Sequence, residues 1–319
     1  MDSICRICGS SKNQNYIAKE MMLGTRDQFN YFQCDDCRCI QIETFPDNIA
    51  EYYPKNYYSF SRYDGKRYLG HKGKLRKFIY NYTIFHRGLI QYLLESFVNA
   101  FKYSQLLSDL KVSKQSKILD VGCGNGEAFL YPLAEIGFKN LLGCDPYLGD
   151  DIKYPNGLEI FNSEIFAIEK KWDFIFYHHS FKHIANPKAH LTKIHSILED
   201  NGLCILRIPT SSSYAWEHYQ TDWYQLDAPR HFYLHSIESI EVLAGETGFH
   251  VQSVVFDSTY HQFMRSEAYK NDIPMNQKVT LNGVSYMKRK IDKMKFKKLT
   301  RVLNATKKGD QAIFILKKI

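Results

Sequence analysis

The 319-residue chain has no run of 18 apolar residues, so no membrane-spanning helix is expected. Its first residues, MDSICRICGS, lack the charged-then-apolar pattern of a secretory leader, and a cytoplasmic protein is expected. No internal repeat is present. Acids are the scarcer charge, 34 Asp and Glu against 42 Lys and Arg, for a formal net charge of +8. That balance favours anionic partners such as phosphates, nucleic acid or an anionic membrane surface, and a merely soluble lysine-rich surface explains it equally well. In that expected setting, the eight cysteines point to thiols or metal rather than disulfides.

What is present falls into three stretches. In residues 1–42, Cys5 and Cys8 form one C-x-x-C knuckle and Cys34 and Cys37 a second, with 25 residues between the two pairs. Two facing knuckles supply four thiolates, the donor set of a structural Zn2+ site in a zinc-ribbon-like module. Cys39 is a spare that could replace Cys37. Four thiolates leave no position for an activated water, so the metal would be structural rather than catalytic. Residues 43–107 read as an aromatic connector followed by an amphipathic helix. Leu75, Phe78, Ile79, Tyr82, Phe85, Leu89, Tyr92, Leu93 and Phe97 recur at three- and four-residue steps there, beside Lys72, Lys74, Arg76 and Lys77. A helix packed on the domain is expected, with a membrane-surface helix as the alternative. Residues 108–319 alternate strand-like runs (KILDV, NLLGCD, DFIFYH, LCILRIP, HVQSVVFD and QAIFILKK) with helical stretches. This predicts an α/β domain with a mostly parallel sheet covered on both faces. A basic helical insertion at about 258–308 precedes the last strand. From Val284 to Lys308 it carries ten Lys or Arg against one acid, Asp292, a charge run that would be solvated or would meet an anionic substrate or lipid headgroups.

The stretch ILDVGCGNGEAF, residues 118–129, places Gly122, Gly124 and Gly126 between a strand and a helix-forming segment. A nicotinamide-binding turn would put its third glycine where Glu127 sits, and a P-loop would end in Gly-Lys-Ser/Thr, which is missing. Asp120 and Glu127 add negative charge where a pyrophosphate would rest. S-adenosylmethionine (SAM) has an ammonium, a sulfonium and no phosphate, and suits that charge. Asp145, 19 residues after Gly126 at the end of NLLGCD, can accept both ribose hydroxyls. Plain dinucleotide binding is the alternative.

These residues resemble a class I SAM-dependent methyltransferase. That family shows a motif like LDVGCGxG, an acid ending strand 2 and a strand-4 motif like FDxIxxxHxxEH. Residues 172–183 here read WDFIFYHHSFKH, and residues 227–236 resemble a D-x-P-R-H-x-x-x-x-S segment. The likeness covers about residues 108–260 and the last strand. The paired C-x-x-C knuckles are similar to those of zinc-ribbon methyltransferases encoded with bacterial surface-polysaccharide and sugar-modifying enzymes. The resemblance implies a Rossmann-like seven-stranded, mostly parallel sheet. It implies a SAM-binding set of Asp120, Gly122, Cys123, Gly124, Gly126, Asp145 and Pro146, with His178 and His179 shaping the pocket, and an adenine contact at Asn162 or Ser163. Two departures stand out. Lys182 replaces the family's Glu, and PYLGDDIKYPNG, full of turn residues, stands where a helix usually follows strand 2.

The resemblance implies methyl transfer, most simply to a sugar hydroxyl of a nucleotide- or lipid-linked glycan precursor or similar anionic small molecule. A hydroxyl profits from a general base. His231 is preferred as that base, with His183 positioning substrate. Arg230 could hold a substrate phosphate or simply pair with Asp227, and Trp223 and Tyr224, with Trp216 and Tyr219, could line the acceptor site or pack in the core. The alternatives are an RNA methyltransferase whose zinc ribbon reads nucleic acid, and a non-catalytic SAM-binding scaffold. The basic helices allow peripheral membrane contact. Oligomeric state is not legible.

Overall fold

A computed structural model describes residues 3–53, 60–86, 101–277 and 286–319, the last with side chains from 291 onward. In chain order the strands are β1 Asn13–Lys19, β2 Gln28–Cys34, β3 Ile40–Ile42, β4 Ile118–Val121, β5 Leu141–Cys144, β6 Ile152–Lys153, β7 Glu159–Phe161, β8 Trp172–His178, β9 Leu198–Pro209, β10 Tyr233–Leu234, β11 Phe249–Phe256 and β12 Gln311–Lys318. The helices are α1 Gly70–Phe85, α2 Ser104–Asp109, α3 Leu130–Glu135, α4 Pro187–Ile197, α5 Tyr214–Tyr219, α6 Ile237–Glu246, α7 His261–Lys270 and α8 Tyr286–Ala305.

The larger sheet runs β11-β12-β9-β8-β4-β5-β7-β6. The pairs β4–β5, β4–β8 and β5–β7 are parallel, whereas β11–β12 and β6–β7 are antiparallel. The architecture is thus α/β with a mixed, largely parallel sheet, but the expected seven strands become eight. The extra strand, β6, lies inside PYLGDDIKYPNG. Tyr154 N–H donates to Leu158 O and Gly157 N–H to Tyr154 O, closing a turn with Gly157 at φ +87° that brings Ile152 beside Ile160 of β7. The same Pro, Asn and Gly that argued for a loop also serve a tight hairpin, and strands of two and three residues carry too little periodicity to be seen.

The chain divides into two compact units, one of Met1–Lys55, Tyr177–Ser196 and Cys204–Ile319, the other of Asn56–Phe176 and Ile197–Leu203. In the second unit, β4 is buried at every position, as a strand covered on both faces should be. α1 forms where periodicity predicts it, but Leu75 and Phe78 are exposed, and Gly73, Ile79, Tyr80, Thr83 and Ile84 make the buried stripe. Thr83 can be buried because its hydroxyl bonds Tyr80 O and Ser104 Oγ. Leu89, Tyr92, Leu93 and Phe97 lie outside the described residues.

In the first unit, β1, β2 and β3 form an antiparallel sheet whose fourth strand, β10, pairs Tyr233 with Gln41 and Leu234 with Ile40. The N-terminal cysteine segment therefore builds its sheet with chain from beyond residue 230. Behind that sheet lies a core of Tyr31, Ile40, Ile42, Trp216, Tyr219, Trp223, Leu226, Phe263 and Leu303, with Tyr224 packed against it. Of the two options, acceptor lining or core, Trp223 takes the core position, and Tyr224 packs partly buried against it. Trp223 is fully buried, its indole N–H donating to Asp310 Oδ2 at 3.2 Å, and Trp216 likewise donates to Gln33 Oε1.

Candidate active site

The glycine turn follows β4 in the second unit. Gly122, Gly124 and Gly126 all adopt left-handed backbone, φ +70°, +55° and +71°, which only glycine takes without strain. Gly122 and Cys123 N–H donate to Cys144 O at the end of β5, at 2.8 and 3.4 Å. Asp145, the buried residue following β5, accepts Gly124 N–H at 2.8 Å through Oδ2 and Tyr147 N–H at 3.0 Å through Oδ1. Burial raises its pKa. Its carboxylate therefore holds the turn as well as offering its remaining lone pairs to a ligand. Pro146 lies exposed in the turn that follows. Asp120 is buried in β4, between Gly143 of β5 and Phe176 of β8.

Sequence reasoning missed the turn's supports. Asn125 Nδ2 donates to Ser61 O at 2.7 Å, its Oδ1 accepts Glu127 N–H, and Tyr154 Oη–H donates to Asn125 O at 2.8 Å. Asn125 sits inside the motif and could have been noticed; Ser61 and Tyr154 carry no local signal. Of the two adenine candidates, Asn162 is engaged by Asp151 Oδ1 and Gly149 O. Ser163 Oγ is buried without a partner among the described residues.

The histidines lie in the first unit. His178 ends β8. His179, at φ +60°, donates its backbone N–H to Arg207 O at 2.8 Å, and its Nε2 accepts from Arg207 Nη1. Arg207 is buried and its Nε donates to Asp257 Oδ2 at 2.6 Å. His183, just beyond, places Nδ1 2.7 Å from Arg230 O. A carbonyl only accepts, so Nδ1 carries the proton and Nε2 keeps its lone pair. Nε2 has no partner among the described residues. Burial, then the Lys182 charge, push the His183 pKa down to about 4, so the ring is neutral near pH 7.

His231 differs. Its Nδ1 is 2.7 Å from Gln225 O and its Nε2 is 3.3 Å from Asp227 Oδ2. Burial pushes its pKa well below the usual value, but in either protonation state Nε2 faces a carboxylate rather than open space. His231, the residue expected as general base, thus has both ring nitrogens engaged, whereas His183 has a partner at Nδ1 alone among the described residues. Arg230 is engaged as well. It is buried, and its guanidinium is used internally, by both oxygens of Asp227, by Glu20 Oε1 at 3.3 Å and by Tyr52 O at 2.7 Å. Burial alone would raise the Asp227 pKa, but the Arg230 and His231 charges outweigh it and hold the carboxyl below its ordinary range. Of the two options left open by sequence, phosphate or Asp227, the structure takes Asp227.

The N-terminal segment enters this network at two points with no sequence signal. Glu20, fully buried, accepts the backbone N–H groups of Met22, Leu23, Gly24 and Thr25 at 2.8 to 3.1 Å as well as Arg230. Tyr31 Oη–H donates to His231 O at 2.9 Å. Lys182 is 6% exposed with no carboxylate in ion-pair reach among the described residues, and burial pushes its pKa down to about 7.

Cys5, Cys8, Cys34 and Cys37 bring their sulfurs within 4.8 Å of one another. Cys5–Cys37 and Cys8–Cys34 are each 3.5 Å apart. Cys39 lies outside the cluster, beside His235, so it does not replace Cys37. The N–H groups of Ile7 and Gln41 Nε2 point at Cys5 Sγ, at 3.4 and 2.9 Å, which suits a thiolate.

A largely parallel sheet with a glycine turn after one strand and a carboxylate after its neighbour defines the class I methyltransferase type of α/β fold. Residues 91–254, just over half of the chain, match a family model described as a methyltransferase domain, and the chain belongs to that family. Similar solved structures include a SAM-dependent methyltransferase from Archaeoglobus fulgidus, 18% identical over 72% of this chain and 99% of that one, with a TM-score of 0.42. Another is a cyclopropane synthase from Mycobacterium tuberculosis, 16% identical over 64% of this chain and 78% of that one, with a TM-score of 0.40. The family match, rather than these distant likenesses, carries the assignment. No curated protein matches the chain.

Proposed function

We propose that the enzyme takes its methyl group from SAM and delivers it to a hydroxyl of a small, sugar-like acceptor, such as a nucleotide- or lipid-linked glycan precursor. The observation that carries the donor assignment is the turn of three left-handed glycines hydrogen-bonded to Asp145. Its bare backbone allows close approach of a ligand, while the buried carboxylates Asp120 and Asp145 fit a cationic, hydroxyl-bearing donor rather than a pyrophosphate. Gly122, Cys123, Gly124, Gly126, Asp120 and Asp145 would hold it, with Ser163 offered to the base. When bound, SAM supplies an activated methyl group; the chain supplies position and a base. His183 is that base. Its Nδ1–H is spent on Arg230 O, so Nε2 is the atom that takes the hydroxyl proton. Its low pKa keeps it in the accepting form throughout the neutral range.

The four-cysteine cluster is read as a structural Zn2+ site. Thiolates about 2.3 Å from a tetrahedral zinc stand about 3.8 Å apart, close to the spacings seen here. The inward attachment of Glu20 and Tyr31 supports a bracing role for this segment over a nucleic-acid reader.

The test is incubation with methyl-labelled SAM and a cell extract divided into RNA, protein and small-molecule or glycolipid fractions. Label in the small-molecule or glycolipid fraction, with stoichiometric S-adenosylhomocysteine, is expected. Label in RNA would replace the acceptor reading, and binding without any turnover would make the chain a scaffold.

A further inference from the structure

Helix α8 carries two apolar faces. One is spent on the core of its unit: Phe296 stacks on Phe263 at 5.1 Å, Thr300 accepts from Gln262, and Leu303 is buried. With about 100° per residue, the side opposite these three holds Ile291, Met294, Lys298, Arg301 and Val302, with Lys295 at its edge. There Ile291, Met294 and Val302 are 42%, 57% and 51% exposed, and Leu299 at the flank is exposed too. Scattered single apolar residues on a surface need no explanation, but four on one helix do.

The charges around them are of one sign. From residue 291 to 308 the helix and its exit hold seven Lys or Arg and a single acid, Asp292. Lys308 is paired with Glu217, and Lys293 and Lys297 lie over the Tyr260 ring at 5.1 and 5.6 Å. Lys295, Lys298 and Arg301 are exposed with no ion pair among the described residues. An ordinary solvated helix face interleaves acids with bases; here aliphatic side chains take the acids' place. No described helix is long and apolar enough to cross a membrane. A helix lying in a membrane interface needs only such a stripe, with aliphatic residues entering the acyl boundary and flanking cations meeting anionic headgroups. Nucleic acid would meet the same cations, but single-strand binding faces add aromatic rings for stacking. The exposed described positions of α8 hold none.

We infer that the outer face of α8 docks on an anionic phospholipid surface, with Ile291, Met294 and Val302 inserted and Lys295, Lys298 and Arg301 on the headgroups. The inference rests on this surface alone and is read without turnover, so it stands or falls independently of the acceptor. It would also bring the enzyme to a lipid-linked substrate.

The experiment is co-sedimentation of the full chain with vesicles of phosphatidylcholine alone and of phosphatidylcholine with about one third phosphatidylglycerol, in low and high salt. Preference for the anionic vesicles is expected. K295Q/K298Q/R301Q should weaken it on the order of 100-fold. I291S/M294S/V302S should weaken it about tenfold and make the remainder fully salt-sensitive. All six positions are exposed, and each variant is first checked for an unchanged melting temperature and SAM affinity. Equal sedimentation with both vesicles, or an unchanged serine variant, would overturn the inference. So would binding to a single-stranded RNA without any vesicle binding, which would assign the face to nucleic acid.

Discussion

The glycine turn of one unit and the His183–Arg230–His231 cluster of the other are both built around buried carboxylates, yet they use them differently. Asp145 grips backbone N–H groups a few residues away or across one strand pair, and the conformation it holds is one that glycine adopts on its own. Asp227 and Glu20 instead compete for one guanidinium, 210 residues distant from Glu20. The ring nitrogens of His183 and His231 differ in which acceptor each meets in that network. A site made of local backbone is robust and easily recognised; a site made of buried charge is set by partners, and its residues change role when one partner changes.

That contrast predicts an order of effects. Arg230→Met should be the most severe substitution, because it removes the guanidinium that the buried Glu20 and the partly buried Asp227 share. A loss of about 3–5 kcal/mol is expected in denaturant unfolding, and a loss under about 1 kcal/mol would show the network to be dispensable. Lys182→Met should do the opposite. In the folded chain the amine pKa falls from 10.5 to about 7 through burial. Below pH 10.5 the unfolded chain therefore takes up a proton that the folded chain refuses until about pH 7. Stability contributed by this group is lost as pH falls through that window, so the variant should gain on the order of 4 kcal/mol at pH 7 and lose the slope between about pH 7 and 10.5. Parallel stability curves for the two proteins would contradict it.

His183→Ala should lower turnover about 100-fold with SAM affinity within about twofold, the range expected for removing a general base. His231→Ala should mainly reduce stability, and if it proves the more damaging to turnover at a temperature where both are folded, the two roles are exchanged. Turnover of the wild type should fall only as pH drops toward about 4, where His183 protonates. The smallest effect belongs to the robust region. Gly126→Ala places a Cβ 2.7 Å from Ile160 Cδ1 at φ +71°, which should cost about 1–2 kcal/mol and weaken SAM binding in calorimetry. No effect would mean that the turn relaxes freely.

The α/β class, the glycine turn with Asp120 and Asp145, and the paired cysteine knuckles were legible from sequence because each is written in neighbouring residues. Alternation of strand and helix, glycine at left-handed positions and two-residue cysteine spacing are all local rules. The eighth strand was not, since the two residues of β6 carry no period. Nor was the buried face of α1, where Thr83 and Gly73 outrank Leu75 and Phe78 because of what packs on them. The different partners of His183 and His231, the employment of Arg230, the burial of Trp223 and the exclusion of Cys39 were decided by tertiary structure alone. Each depends on a partner between about 4 and more than 200 residues away. A pattern rule sees only along the chain, whereas the free energy of a buried polar group is set by whichever donor or acceptor folding brings to it.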